Sequence, residues 1–262
     1  NTVLTTPIAT AAADTKAVLT TDTFNIDATS KIDLDNKGLL PSGSTGYSGG
    51  SYGGLGAGYS GTSNTSNAVF GDYQQPLDFG IGGTSNTTSG YSHGGGAIKV
   101  VANTLTLNGL ITANGETGSS AYNGGGGSGG SVWLDVGTLL GTGSVSVNGG
   151  GVGASGGGGG GGRVAIDYTD ISGFDVTKII NHGGAGATNY SGAPGTTYLK
   201  SKAATSGHIY IDNTAGPADH VSTPISITTS ENLTVTNTNI TMSGTYGDVD
   251  LTSSKVILIG NV

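Results

Sequence analysis

Two aspartates, Asp135 and Asp167, hold the same place in successive copies of one short pattern, Val-Trp-Leu-Asp (132–135) and Val-Ala-Ile-Asp (164–167). If those copies are neighbouring strands, the carboxylates stack about 4.8 Å apart on one face. Two such carboxylates can serve as general acid and base on a glycosidic bond. The plainer reading is a solvated ladder holding water or a cation between its rungs. Arg163 is the only arginine, so the cationic clusters of enzymes that cleave acidic polysaccharides are missing. We therefore assign no catalytic residue and expect no enzymatic activity.

The same strands offer a second constellation. Ile98, Val132, Val164 and Thr197 occupy equivalent inward positions, which puts Lys99, Trp133, Ala165 and Tyr198 together on the opposite face. The only tryptophan thus sits near a tyrosine and a lysine. Such rings stack on sugar faces or on a neighbouring subunit. Glycine-rich segments folded over them would bury them instead. Asp33 and Asp35 share one outward face, where a calcium ion can bridge two carboxylates, but the closing glutamate of a calcium loop is absent. The four histidines have no ligand spacing, so no metal site is assigned. Asn64, Asn86, Asn189, Asn232 and Asn239 each open an Asn-x-Ser/Thr triplet, the acceptor for glycosylation where the source glycosylates exported proteins.

The elements that position these residues repeat. A glycine run breaks into a short alternating segment three times, at Gly-Gly-Ala-Ile-Lys-Val (95–100), Gly-Gly-Ser-Val-Trp-Leu (129–134) and Gly-Gly-Arg-Val-Ala-Ile (161–166). The inward positions Ile98, Val132, Val164 and Thr197 follow at spacings of 34, 32 and 33 residues. A fixed period in this range indicates stacked repeats, and period-two alternation makes their elements strands. Three short strands per repeat predict an all-β, right-handed parallel β-helix of about six or seven coils. It forms one domain over 1–262, with 1–16 as a cap or linker, 39–96 as a long glycine-rich insertion and 224–262 as shorter undecorated coils. Phe70, Tyr73, Leu77 and Phe79 are the expected anchors of the insertion. The glycine runs are expected to lie side by side, extended and hydrogen-bonded, because a residue without Cβ permits that approach.

Composition sets the outer limits. The 262 residues include 52 glycines and no cysteine, with a net charge of −8. A chain this acidic and poor in arginine does not suit nucleic acid. No apolar run is long enough to span a membrane as a helix. The chain begins at Asn1, which reads as a processed chain or a piece of a longer one.

The string from Tyr73 to Phe79, the three glycine-led strands above, Thr-Leu-Thr-Leu-Asn-Gly-Leu-Ile-Thr-Ala-Asn-Gly (104–115) and His-Ile-Tyr-Ile-Asp-Asn (208–213) resemble one class of protein. These are the glycine-rich parallel β-helix modules of large secreted and cell-surface microbial proteins, adhesin-like in character. The likeness covers roughly residues 17–213. It implies an extracellular or cell-surface location and a structural or adhesive role: filament or sheath subunit, or adhesin module. Binding of surface glycans through Trp133, Tyr198 and Lys99 is the alternative, and polysaccharide cleavage stands behind it. Apolar Val256, Ile257, Leu258 and Ile259, facing a charge-poor stretch at 1–15, are expected to join copies head to tail.

Overall fold

The computed structural model describes residues 1–59, 64–252 and 255–258, with backbone alone at 228–230 and from 243 onward. The chain passes back and forth between two sheets. β1 (Val3–Thr5) lies in the first sheet, β2 (Ala17–Ile26) in the second, and β3 (Lys31–Asp33) in the first. β4 (Ala97–Leu107), β5 (Leu110–Thr112), β6 (Ser131–Gly141), β7 (Ser144–Ser146) and β8 (Arg163–Tyr168) continue that alternation. β9 (Asp170–Phe174) lies beside β6, and β10 (Ile179–Ile180) is the last strand of the first sheet. β11 (Thr196–Ser201), β12 (His208–Asp212), β13 (Thr223–Thr236), β14 (Asn239–Thr252) and β15 (Lys255–Leu258) extend the second sheet alone. Every pairing of named strands is parallel except β11 with β12, so the second sheet is mixed, and neither sheet closes on itself. The described residues contain no α-helix, and none long and apolar enough to cross a membrane.

The alternation of the sequence decides the packing. Ile98, Val132, Val164 and Thr197 pair in one unbroken register across β4, β6, β8 and β11. Leu4, Ile32, Ile111, Val145 and Ile179 form the matching row in the first sheet. Ile98, Val132, Val164, Ile111 and Val145 are fully buried between the sheets, in a core completed by Leu105, Leu134 and Leu139. Residues 1–16 supply the outermost strand of the first sheet, and Ala9 donates its N–H to Lys37 O behind it.

The corner where each repeat leaves the first sheet carries a side-chain ladder. Asp35 Oδ1 accepts from the N–H of Asn114 (2.7 Å), Asn114 Oδ1 from that of Asn148 (2.7 Å), and Asn148 Oδ1 from that of His182 (2.8 Å). Each rung's side chain thus occupies the amide of the next. His182 is the last rung.

Beyond that corner the glycine runs form a buried lattice. In 156–162 the donors cycle with a period of three. Gly157 and Gly160 bond to Tyr47 and Gly50, Gly158 and Gly161 to Tyr190 and Ala193, and Gly159 and Gly162 to Gly150 and Val147. The run 124–130 does the same: Gly125 and Ser128 bond to Thr84 and Ile81, Gly126 and Gly129 to Gly157 and Gly160, Gly127 and Gly130 to Glu116 and Ala113. Three residues per turn is the polyproline-II repeat, and each rod here sits among three neighbours. In an isolated polyproline-II helix these backbone groups are solvated; in this lattice they are paired with one another. The insertion 39–96 supplies two of the surrounding rods, so it is an integral part of the body. Tyr73 and Phe79 are buried as expected, while Phe70 and Leu77 are half-buried. Its deepest anchor is Tyr52, whose hydroxyl bonds Ser131 Oγ at 2.7 Å and whose titration burial pushes up to about 12. Arg163, the lone arginine, is buried beneath it and donates Nε and Nη2 to Phe70 O.

One expectation fails here. The face of the second sheet that carries Ala165 and Tyr198 does not meet solvent: both are buried. Past β11 the chain reverses, and β12 through β14 bury that opposite face in a second core of Ile209, Ile211, Ile225, Ile227, Leu233, Val235, Ile240 and Met242. Pairing of Ile225 with Met242 and of Ile240 with Val256 sets neighbouring parallel strands 17 and 16 residues apart, about half the earlier spacing. β11 serves both cores, Leu199 in the first and Tyr198 in the second.

Candidate functional site

The Trp133 face is built by four in-register strands. Lys99 pairs with Trp133, Trp133 with Ala165, and Ala165 with Tyr198, as their spacing requires. Their side chains, however, are spent within the chain. Lys99 Nζ sits 3.3 Å from the centroid of the indole, covering one face of the ring. Trp133 is packed half-buried against the second core. Its Nε1 donates to Asp167 Oδ2 at 2.9 Å. Tyr198 meets Tyr73 edge-on at 5.6 Å and donates its hydroxyl to Glu231 Oε1 at 3.1 Å. Glu231, itself buried, also accepts from Gln74 Nε2 (2.7 Å) and the N–H of Gly207. Sequence reasoning missed Glu231; it stands among polar residues at the bend of β13, and only the reversal after β11 brings Tyr198 and the insertion to it. Trp133 and Lys99 are therefore a cation–π contact at the rim of a core, and Tyr198 is no part of an open platform.

Asp135 and Asp167 do pair across β6 and β8. Lys202 Nζ lies 2.8 Å from Asp135 Oδ1, while Asp167 takes the indole N–H. Burial above all, and then the Asp135 charge, hold the Asp167 carboxyl above its ordinary value of 3.8. A folded-state value raised above the unfolded one means that the folded protein binds the extra proton, so this group's contribution falls as pH rises from 3.8 through the raised value. Asp167→Asn, which can still accept from the indole, should melt higher than the parent at pH 7. The two melting curves should converge below pH 3.8; equal melting temperatures at both pH values would show that burial of the charge costs nothing.

The remaining candidates do not converge. Asp33 takes the Lys31 ammonium at 2.5 Å, and Asp35 takes the Asn114 amide, so the two carboxylates are engaged separately. Among the described residues no three His, Cys, Asp or Glu side chains come together. Asn86 and Asn189 are exposed, Asn232 and Asn239 are half-buried, and Asn64 donates its amide to Tyr59 O within the insertion. Val256, Ile257 and Leu258 lie in the edge strand β15, and Ile259 lies outside the described residues.

A site that the sequence did not announce opens where the first sheet ends. Beside β10, and under the polar face of β12 and β13, lies a cavity of about 430 Å³. Val176, Ile179 and Leu199 form its aliphatic side, and Tyr210, Thr234 and Asp212 its polar side. Tyr210 is backed by a parallel ring, His208, at 4.2 Å. Asn181, also lining the cavity, is buried and donates to Thr197 Oγ1 at 3.1 Å.

No protein family, no curated protein and no solved structure matches the chain.

Proposed function

We propose that the chain is a non-enzymatic structural subunit of the cell exterior, a right-handed parallel β-helix whose copies join end to end into a filament or sheath. The alternation between two sheets from β1 to β11, in which each return adds one parallel strand beside the last, supports that winding. The non-enzymatic reading is supported by the carboxylate pair, whose members are engaged by Lys202 and Trp133. A lattice of backbone hydrogen bonds with hardly any side chain in it is a rigid spacer, which suits a load-bearing wall.

The observation that carries the assembly is the end formed by β1 and β2. Val3 (52 % exposed), Leu4 (40 %), Ile8 (44 %) and Val18 (58 %) leave an apolar surface around two edge strands. Unpaired strand edges recruit further strands unless charge, proline or a covering segment blocks them. The outermost described strand at the other end of the second sheet, β15, runs opposite to β2 and offers a second backbone edge. Contact between two different ends is heterologous and does not close, so it propagates.

Sedimentation of the isolated chain over a rising concentration series should show linear polymers, visible as thin filaments by electron microscopy. Leu4→Lys with Val18→Lys should hold it as a monomer of unchanged fold. A parent chain that stays monomeric at high concentration would sink the filament reading and leave the adhesin module in its place.

A further inference from the structure

We infer that the cavity beside β10 is a binding site for a neutral mono- or disaccharide, distinct from the Trp133 face. This reading does not depend on end-to-end assembly.

The cavity exists because the buried face of the second sheet changes sides at β11. In the inward row Ile98, Val132, Val164, the next members are Thr197, Tyr210 and Thr234. The row turns from aliphatic to hydroxyl-bearing and aromatic where the opposing sheet stops at β10. Thr197 Oγ1 is held by Asn181 and Thr234 Oγ1 by His208 Nε2 (2.8 Å), while an apolar solenoid continuing over this place would bury the Tyr210 hydroxyl among aliphatic groups, which is costly. A ligand with one carbon-bound face and a rim of hydroxyls fits both walls at once. Its apolar face would lie on Ile179, Leu199 and the Tyr210 ring, and its hydroxyls would meet Thr234, Asp212 and His182.

His182 gives the site its sharpest polar feature. In every earlier rung of the corner ladder the side chain accepts from the next rung's amide, and among the described residues His182 has no next rung. Its imidazole lines the cavity, and no hydrogen-bond partner for the ring occurs among the described residues. Burial disfavours its charged form, so at neutral pH the ring offers one donor and one acceptor, as a hydroxyl requires. The lining includes one carboxylate and no lysine or arginine, which excludes anionic sugars. The volume lies within the range of small-molecule sites.

The test is saturation-transfer NMR of the full chain against glucose, galactose, mannose, N-acetylglucosamine, cellobiose and lactose, followed by titration of any sugar that responds. The inference expects at least one sugar to bind, with ring and amide shifts confined to residues 176–182, 208–215 and 234–236. Filling the cavity with Thr236→Trp, or removing the polar terminus with His182→Ala, should weaken that sugar at least tenfold, while Trp133→Ala should leave its affinity unchanged. Should Thr236→Trp not fold, the shift map of the parent chain decides. Silence from every sugar in the panel overturns the inference. So does binding that maps to the Lys99–Trp133 face or is lost in Trp133→Ala alone.

Discussion

Gly158→Val and Gly160→Val, made together, should leave no cooperatively folded protein at room temperature. A Cβ built on Gly158 falls inside the carbonyl oxygen of Gly184, and one on Gly160 inside that of Gly54. Both obstacles are backbone atoms of neighbouring rods, which cannot swing aside as a flexible side chain would. Ordinary overpacking costs about 1–3 kcal/mol. Here relief requires separating rods whose amides are paired, so each substitution belongs in the exceptional range above about 4 kcal/mol. Gly151→Ala is the control, since its Cβ would come no closer than 3.3 Å to Ala185 O. It should cost under about 1 kcal/mol. Urea denaturation measures the difference, and amide exchange of the parent should show protected protons throughout 157–162. Rapid exchange there, or a parent-like melt for the double valine variant, would contradict the lattice.

Val132→Asp should be nearly as damaging. Val132 is fully buried, with Ile98 and Val164 on either side in the same row. The change forfeits about 1.5–3 kcal/mol of apolar burial and adds about 2 kcal/mol or more for a carboxyl without a partner. Against a total stability of about 5–15 kcal/mol, that melts the middle strands. Thr104→Asp, half-buried between Thr23 and Thr138, should be tolerated with a loss below about 1 kcal/mol. Circular dichroism melts of both variants check the register, and equal melts would refute it.

The register was legible because alternation allows only two choices per strand and burial of one face selects between them. Ile98, Val132 and Val164 could not point outward without exposing a whole row of aliphatic groups. Glycine runs at one corner of each repeat likewise required close approach. What they did not encode was which rods would be neighbours, since a residue without a side chain carries no pairing information. Tyr52 was hidden for the same reason, one tyrosine among several in a glycine-rich stretch. The change of buried face was hidden differently. Ile209 and Ile211 alternate equally well on either side of a sheet, and the reversal rests on the short 202–207 connection, whose residues read as an ordinary turn. The Trp133 platform and the cavity beside β10 both depend on that reversal, so one was misplaced and the other unseen.

The two cores lie on opposite faces of one sheet, and β11 is the strand they share. Tension applied along the stacking direction crosses from one core to the other through the antiparallel joint of β11 with β12, three residue pairs long, through Tyr198 and Gln74 on Glu231, and through the bonds of Val221 to Ser191, Thr223 to Pro194, and Asn189 and Ser191 to Asp219. The glycine lattice braces the strands before that joint and the second core braces those after it. Backbone pairing across the change of face is thus short and is reinforced mainly by side-chain bonds, so mechanical rupture is expected to start there, where fewest ladder bonds must break together.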